Sequence, residues 1–259
     1  MGLLKGAALM TSYYSDISER PIGDLDIWVD HREVYRAYGI LRNMSDEKDQ
    51  TPVFRTRLLP ESIRTHLKPL TICGQTVELH FNLYSCDSNR NITTSDLASH
   101  FVRRGQYLVP DEPLMLYHLT THLTKSRKTL GVRLGWFVDI AMLLEKWGEQ
   151  SPDICLQAIG MNPDARNEML DIWRYAISLT SESTSRFISD SLGIEETQLT
   201  SQVMRTLPDG FKHGWMSRWR SVRCIMKAAS GIIAEAHGFR AKIRALADMV
   251  HDFRLRYEY

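Results

Sequence analysis

The chain has 259 residues, 43% apolar and 24% charged, with a formal net charge of +1. These are ordinary globular proportions: they exclude a disordered chain and give no overall electrostatic case for nucleic acid or a membrane surface. Four cysteines, Cys73, Cys86, Cys155 and Cys224, stand without a C-x-x-C pair, which excludes a thiolate metal knuckle and a disulfide framework and points to a reducing, cytoplasmic setting.

The opening "MGLLKGAALM" is apolar, but Lys5 interrupts it and no small-x-small cleavage site follows, so no signal peptide is expected. Gly6 stands where a myristoylation motif requires Ser or Thr. No window approaches the roughly 18 apolar residues of a membrane helix, and no membrane partner is expected.

In chain order, Met1 to Leu4 reads as the end of a strand, Lys5-Gly6 as a turn, and Ala7 to Tyr14 as a short helix. Ile22 to Val29 is the next strand. Asp30 with Glu33 three residues on has the form of a capping box, opening a helix through about Leu41. The run "NMSDEKDQTP" is a loop. "HLKPLTI" and "TVELHFNLY" flank "CGQ" as the two arms of a hairpin. In the second arm Val77, Leu79, Phe81 and Leu83 share one face, leaving Glu78, His80 and Asn82 on the other.

From about residue 111 the pattern becomes helical nearly throughout. Asp111 is the expected cap and Pro113 falls in the first turn, where its missing N–H is harmless. "GVRLGWFVDIAMLLEKW" places Leu134, Phe137, Val138, Met142 and Leu143 at helical spacing. Pro163 opens a helix through about Ser189, and two more are expected beyond it. The change of pattern sets a domain boundary between residues 1–108 and 109–259. From Arg205 to the end, eleven Lys or Arg stand against five Asp or Glu, a basic segment near +6 carried on amphipathic helices.

The chemistry concentrates in "RPIGDLDIWVD". Asp24 and Asp26 lie at i and i+2 on a strand, so their carboxylates project from one face about 7 Å apart along the backbone. Such oxygen donors suit magnesium, which is held by one or two carboxylates with water and phosphate completing its shell. Glu78 offers a third acid from another strand. Gly6 lets phosphate approach the N–H groups at the start of the first helix.

"LLKGAALMTSYYSDISERPIGDLDIWV", "VELHFNL" and "LMLYHLTTHLTKSRKTLGVRLGWFVDIAMLL" together resemble, in this order, the uncharacterised nucleotidyltransferase family of the polymerase-beta-like nucleotidyltransferase superfamily. The resemblance spans about residues 3–144. It implies an α+β fold: a small mixed β-sheet catalytic core with helices packed on one side, followed by an α-helical domain. It also implies transfer of a nucleoside monophosphate, AMP being the first expectation, from a triphosphate such as ATP to a hydroxyl or phosphate acceptor, with release of pyrophosphate.

Asp24 and Asp26 then match the metal-binding D-x-D, Glu78 the third acid, and Mg2+ or Mn2+ the expected ion. Gly6 matches the glycine of the phosphate-cradling turn. The wider superfamily has Gly-Gly or Gly-Ser where this chain has Lys5-Gly6, so Lys5 is a candidate for direct phosphate contact. The acceptor stays open between a small molecule, a peptide and RNA, and a non-catalytic nucleotide-binding module is the remaining alternative.

Other residues carry competing readings. Arg20 is either a triphosphate contact or an exposed loop arginine, and His80 either touches the nucleotide, orients a carboxylate or makes a structural hydrogen bond. His118 and His122 have the i, i+4 spacing of metal ligands, but with no third ligand nearby interhelical hydrogen bonding is favoured. Asp139, in an apolar helix, is expected to make a polar contact with Arg133 or one of those histidines rather than to act as a general base. Trp215 and Trp219, interleaved with Arg218, Arg220 and Arg223, are read as core, with nucleic-acid stacking as the alternative.

Overall fold

A computed structural model describes residues 1–20, 22–46, 66–83, 96–129 and 134–194. The expected C-terminal helices with Trp215, Arg218, Trp219, Arg220 and Arg223 lie outside the described residues, as do Arg133, Cys86, Cys224 and most of the "NMSDEKDQTP" segment. The described residues fall into two compact units, one drawn from residues 1–7 and 16–83, the other from 8–15 and 96–194.

The first unit is built on a four-stranded mixed sheet in the order β1-β2-β4-β3, formed by β1 (Gly2–Leu3), β2 (Asp24–Trp28), β3 (Leu70–Ile72) and β4 (Gln75–His80). β1 runs antiparallel to β2, β2 parallel to β4, and β3 antiparallel to β4. The β3–β4 hairpin closes on Cys73 and Gly74, both at positive φ, 52° and 74°, the pair of left-handed residues that a type I′ turn needs. The Asp46 carboxylate accepts from both of their backbone N–H groups, at 3.1 and 2.8 Å.

Side-chain alternation gives this sheet two unlike faces. Ile27, Leu79 and Phe81 join Val29, Leu67 and Leu70 in an apolar cluster with Val34 and Tyr38 of helix α2 (Val34–Asn43). The opposite face carries the acids.

The expected capping box before α2 does not form. Arg32 takes the Asp30 carboxylate through its backbone N–H and its guanidinium, residues 31–33 form a turn, and the helix opens three residues later than that cap implies. The expected Lys5-Gly6 turn is likewise absorbed into helix α1 (Lys5–Ser12), which starts directly after β1. Leu4 is pinned by its N–H to the Asp26 carbonyl at 3.0 Å, and the chain changes direction at Lys5 itself, where φ is 43°.

The second unit combines the hairpin of β5 (Phe101–Arg104) and β6 (Tyr107–Pro110) with five helices: α3 (Glu112–Thr129), α4 (Leu134–Trp147), α5 (Ser151–Met161), α6 (Arg166–Ile177) and α7 (Glu182–Leu192). Asp111 caps α3 as expected, its Oδ1 accepting from the Leu114 N–H at 2.9 Å. Leu114, Met115, Leu116, Tyr117 and Leu123 of α3 are buried, and the fully buried Trp173 of α6 donates its indole N–H to Thr120 of α3 at 2.8 Å. In α4 the buried stripe is Phe137, Ile140, Ala141, Leu143 and Leu144, whereas Val138 points outward.

The helix expected from Pro163 through Ser189 is broken in two. Glu145 captures the N–H and hydroxyl of Ser181 at 2.9 and 2.7 Å, holding that residue extended, so α7 restarts at Glu182. The fold is α+β as expected, with a small mixed sheet and a largely helical remainder. No described helix is long and apolar enough to cross a membrane.

Candidate active site

The acidic face of the sheet owes its geometry to the parallel β2–β4 register, which sets Asp26 beside Glu78 and Trp28 beside His80. Neighbours on parallel strands point to the same side, so Asp26, Glu78 and His80 converge. One ligand atom from each lies within 4.8 Å of the others. Asp26 is 2% exposed, and an ionised carboxylate at that depth needs opposite charge and hydrogen bonds.

Both are present. Lys5 donates its Nζ to Asp26 Oδ1 at 2.7 Å, and His80 Nε2 lies 2.7 Å from the same oxygen. An ionised carboxylate only accepts, so the proton sits on His80 Nε2. The same nitrogen is 3.5 Å from Glu78 Oε2, which in turn lies 4.0 Å from His66 Nδ1. His66 forms a bridge with His80, their rings 5.1 Å apart.

These contacts set the proton affinities. Burial pushes the Asp26 carboxyl up, but the hydrogen bond from His80 and the Lys5 ammonium outweigh it and hold the group well below the usual carboxylate range. Glu78 is also raised by burial and then brought down on balance by His80 and the charge of His66. Asp24 goes the other way: partial burial first, then repulsion from Asp26, raises its pKa against the pull of Lys5.

Sequence expectation and geometry agree on Asp26, Glu78 and His80 as neighbours. Asp24 shares their face but, at the start of β2, is only partly covered and stands outside the convergent group. Arg20 comes close to Gly6: a Cβ added to Gly6 would meet the Arg20 guanidinium at 2.5 Å and the Ile22 side chain at 2.8 Å. The absence of a side chain at Gly6 therefore lets Arg20 lie against the first turn of α1. His66 was missed. Its only signal was a histidine opening the arm that pairs with "VELHF", and strand pairing across a hairpin is what brings it to His80.

The remaining candidates lie in the second unit. His118 is buried in α3, and His122 packs its ring edge-on against Trp136 of α4 at 4.9 Å. Asp139 is buried and accepts from the Tyr14 hydroxyl at 2.8 Å, a partner that the sequence reading did not consider. Among the described residues, Asp26, Glu78 and His80 are the one group of acids and histidines close enough to share a metal ion.

The donor set fits a divalent cation. Two carboxylates of depressed pKa are ionised at neutral pH, and the positive charge that Lys5 now supplies to Asp26 is what a bound cation supplies in its place.

The family model described as uncharacterised nucleotidyltransferase matches residues 2–166. The chain belongs to this family. The matched segment contains every residue of the acidic cluster, the Lys5-Gly6 helix start and Arg20. Membership supports nucleotidyl transfer in general and a nucleotide as substrate. Among curated proteins and among solved structures, nothing matches the chain.

Proposed function

We propose that the protein is a metal-dependent nucleotidyltransferase that moves a nucleoside monophosphate, AMP in the first instance, from a triphosphate to a hydroxyl or phosphate acceptor. The observation that carries this reading is the convergence of Asp26 and Glu78, with His80 between them, on the face of the sheet opposite its apolar cluster, in a nucleotidyltransferase-family chain.

In this reading Asp26 and Glu78 hold Mg2+ or Mn2+, with Asp24 as a further oxygen donor at the rim. The ion would supply charge to neutralise the phosphates and to acidify the acceptor oxygen. His80, hydrogen-bonded to Asp26 and 3.5 Å from Glu78, fixes the two carboxylates relative to each other. Gly6 and Arg20 form a phosphate seat at the N-terminus of α1, where the backbone N–H groups and the guanidinium both favour an anion. The acceptor oxygen attacks the α-phosphorus as the bond to the β-phosphate breaks, pyrophosphate leaves, and the acceptor proton passes to solvent. Catalysis consists mainly of in-line positioning.

The experiment is incubation with each α-labelled triphosphate and Mg2+ or Mn2+, followed by measurement of pyrophosphate release and labelled product. Activity that survives Asp24→Ala with Asp26→Ala overturns the assignment.

An RNA acceptor is the second reading, favoured by the basic segment from Arg205 onward. It predicts tRNA binding that weakens steeply with salt. We assign the protein to the cytoplasm on its scattered cysteines, of which Cys73 and Cys155 are free thiols.

A further inference from the structure

Lys5 occupies an unusual place. It is the first residue of α1, its φ of 43° is positive, and its ammonium is directed onto Asp26 Oδ1 at 2.7 Å. Among the described residues the one other non-glycine with positive φ is Cys73, in the hairpin turn. Lysine gains nothing intrinsic from that conformation, because its Cβ crowds the backbone there. The position is held by the preceding residue, with Leu4 fully buried and its N–H bonded to the Asp26 carbonyl. The outcome is a cation whose side chain is 16% exposed facing a carboxylate that is 3% exposed.

We propose that Lys5 is a built-in counter-ion that occupies the Asp26 carboxylate until a metal-bound triphosphate arrives, so that divalent metal binds weakly alone and tightly with nucleotide. This rests on the reading of Asp26 as a metal ligand. A metal ion drawing on Asp26 meets an ammonium already at one of its oxygens, in a setting where like charges are poorly screened. Entry of the ion alone strips Lys5 of its partner and leaves a half-buried cation without one. A triphosphate seated at the start of the same helix offers the ammonium another anion, which its four-carbon stem reaches by rotation. Metal and nucleotide therefore help each other bind, and by linkage the factor is the same in either direction. The device keeps the site from loading metal unproductively.

Mn2+ binding, read by the loss of the free-ion paramagnetic resonance signal and corrected for the Mn2+ that the analogue binds in protein-free controls, tests this on the full chain with and without a nonhydrolysable ATP analogue. Wild type is expected to bind Mn2+ at least about tenfold more tightly with the analogue present. Lys5→Met, which removes the charge and keeps most of the stem, is expected to tighten binding of Mn2+ alone by about tenfold and to lower the coupling factor accordingly. Lys5→Gly, which suits a positive φ, should behave alike and guards against a folding defect in the first variant.

A wild-type coupling factor near one overturns the proposal. So does a folded variant, checked by circular dichroism, that binds Mn2+ alone no more tightly than wild type. Tightened metal binding without pyrophosphate release removes the transfer reading and keeps the role of Lys5, whereas release with unchanged metal affinity does the reverse.

Discussion

His80 Nε2 lies 2.7 Å from Asp26 Oδ1, a buried hydrogen bond between neighbouring strands of a parallel pair. It ties the two strands together at the point where the acids converge, since Glu78 Oε2 is 3.5 Å from the same nitrogen. One imidazole therefore serves two carboxylates, and the stability of this part of the sheet is coupled to the site.

His80→Ala removes that donor and leaves the Asp26 side chain, 2% exposed, resting on its bond from Lys5. A hydrogen bond to a charged buried group contributes about 1.5–3 kcal/mol, so a loss of that size is expected in urea unfolding at neutral pH. His80→Gln, which restores a donor, should recover part of it. A His80→Ala protein as stable as wild type would show that the contact contributes nothing.

The acid limb of stability follows from the same group. The Asp26 carboxyl is held below its ordinary value, its burial being outweighed by His80 and Lys5. The unfolded chain therefore binds more protons than the folded one at pH values between the depressed pKa and the ordinary carboxylate pKa of about 3.9. The stabilisation is fully present above that ordinary value and is lost as pH falls below it. Glu78, also lowered, acts in the same direction. Urea unfolding at a series of pH values should show stability falling steeply below about pH 4, and Asp26→Asn should flatten that limb while abolishing nucleotidyl transfer.

Gly6→Ala probes the phosphate seat without touching the acids. Its new Cβ would stand 2.5 Å from the Arg20 guanidinium and 2.8 Å from the Ile22 side chain, so Arg20 must move. The guanidinium is the far end of a long side chain and can swing aside, but the β-branched Ile22 must shift too, so some stability should be lost. KM is to be read on protein shown to be folded by circular dichroism. If Arg20 contacts the triphosphate as proposed, KM for it should rise about tenfold with a smaller change in kcat. Arg20→Gln is expected to reproduce the KM effect. An unchanged KM in both would separate this helix start from phosphate binding.

How much of this could be read in the sequence depends on distance along the chain. The period-two alternation of β2 and β4 put Asp24 with Asp26 and Glu78 with His80 on single faces, as the structure has them. The parallel register that sets Asp26 beside Glu78 is a long-range pairing, which no local pattern encodes. Asp24 and Asp26 look equivalent in sequence, yet Asp24 is far more exposed, and Asp26 is the one that takes hydrogen bonds from Lys5 and His80. The capping box at Asp30 failed for a local reason: Arg32 competes for the carboxylate and wins by offering both backbone and guanidinium donors. The break before α7 was hidden because its cause, Glu145, lies on a different helix.

That inequality of the two aspartates gives the last prediction. Asp24 has its pKa raised, first by partial burial and then by Asp26, so the folded protein holds its proton more tightly than the unfolded chain does. A raised carboxylate pKa means that ionised Asp24 costs stability at neutral pH, and the cost disappears as pH falls below its ordinary value. A divalent cation bound between the acids cancels the same repulsion. Asp24→Asn should therefore raise the melting temperature of the metal-free protein, shrink the further rise produced by millimolar Mg2+, and weaken transfer. Thermal unfolding with and without Mg2+, run beside the pyrophosphate assay, reads all three. A variant that melts lower than wild type without metal would mean that Asp24 is held by contacts stronger than the repulsion, and would remove it from the metal-binding set.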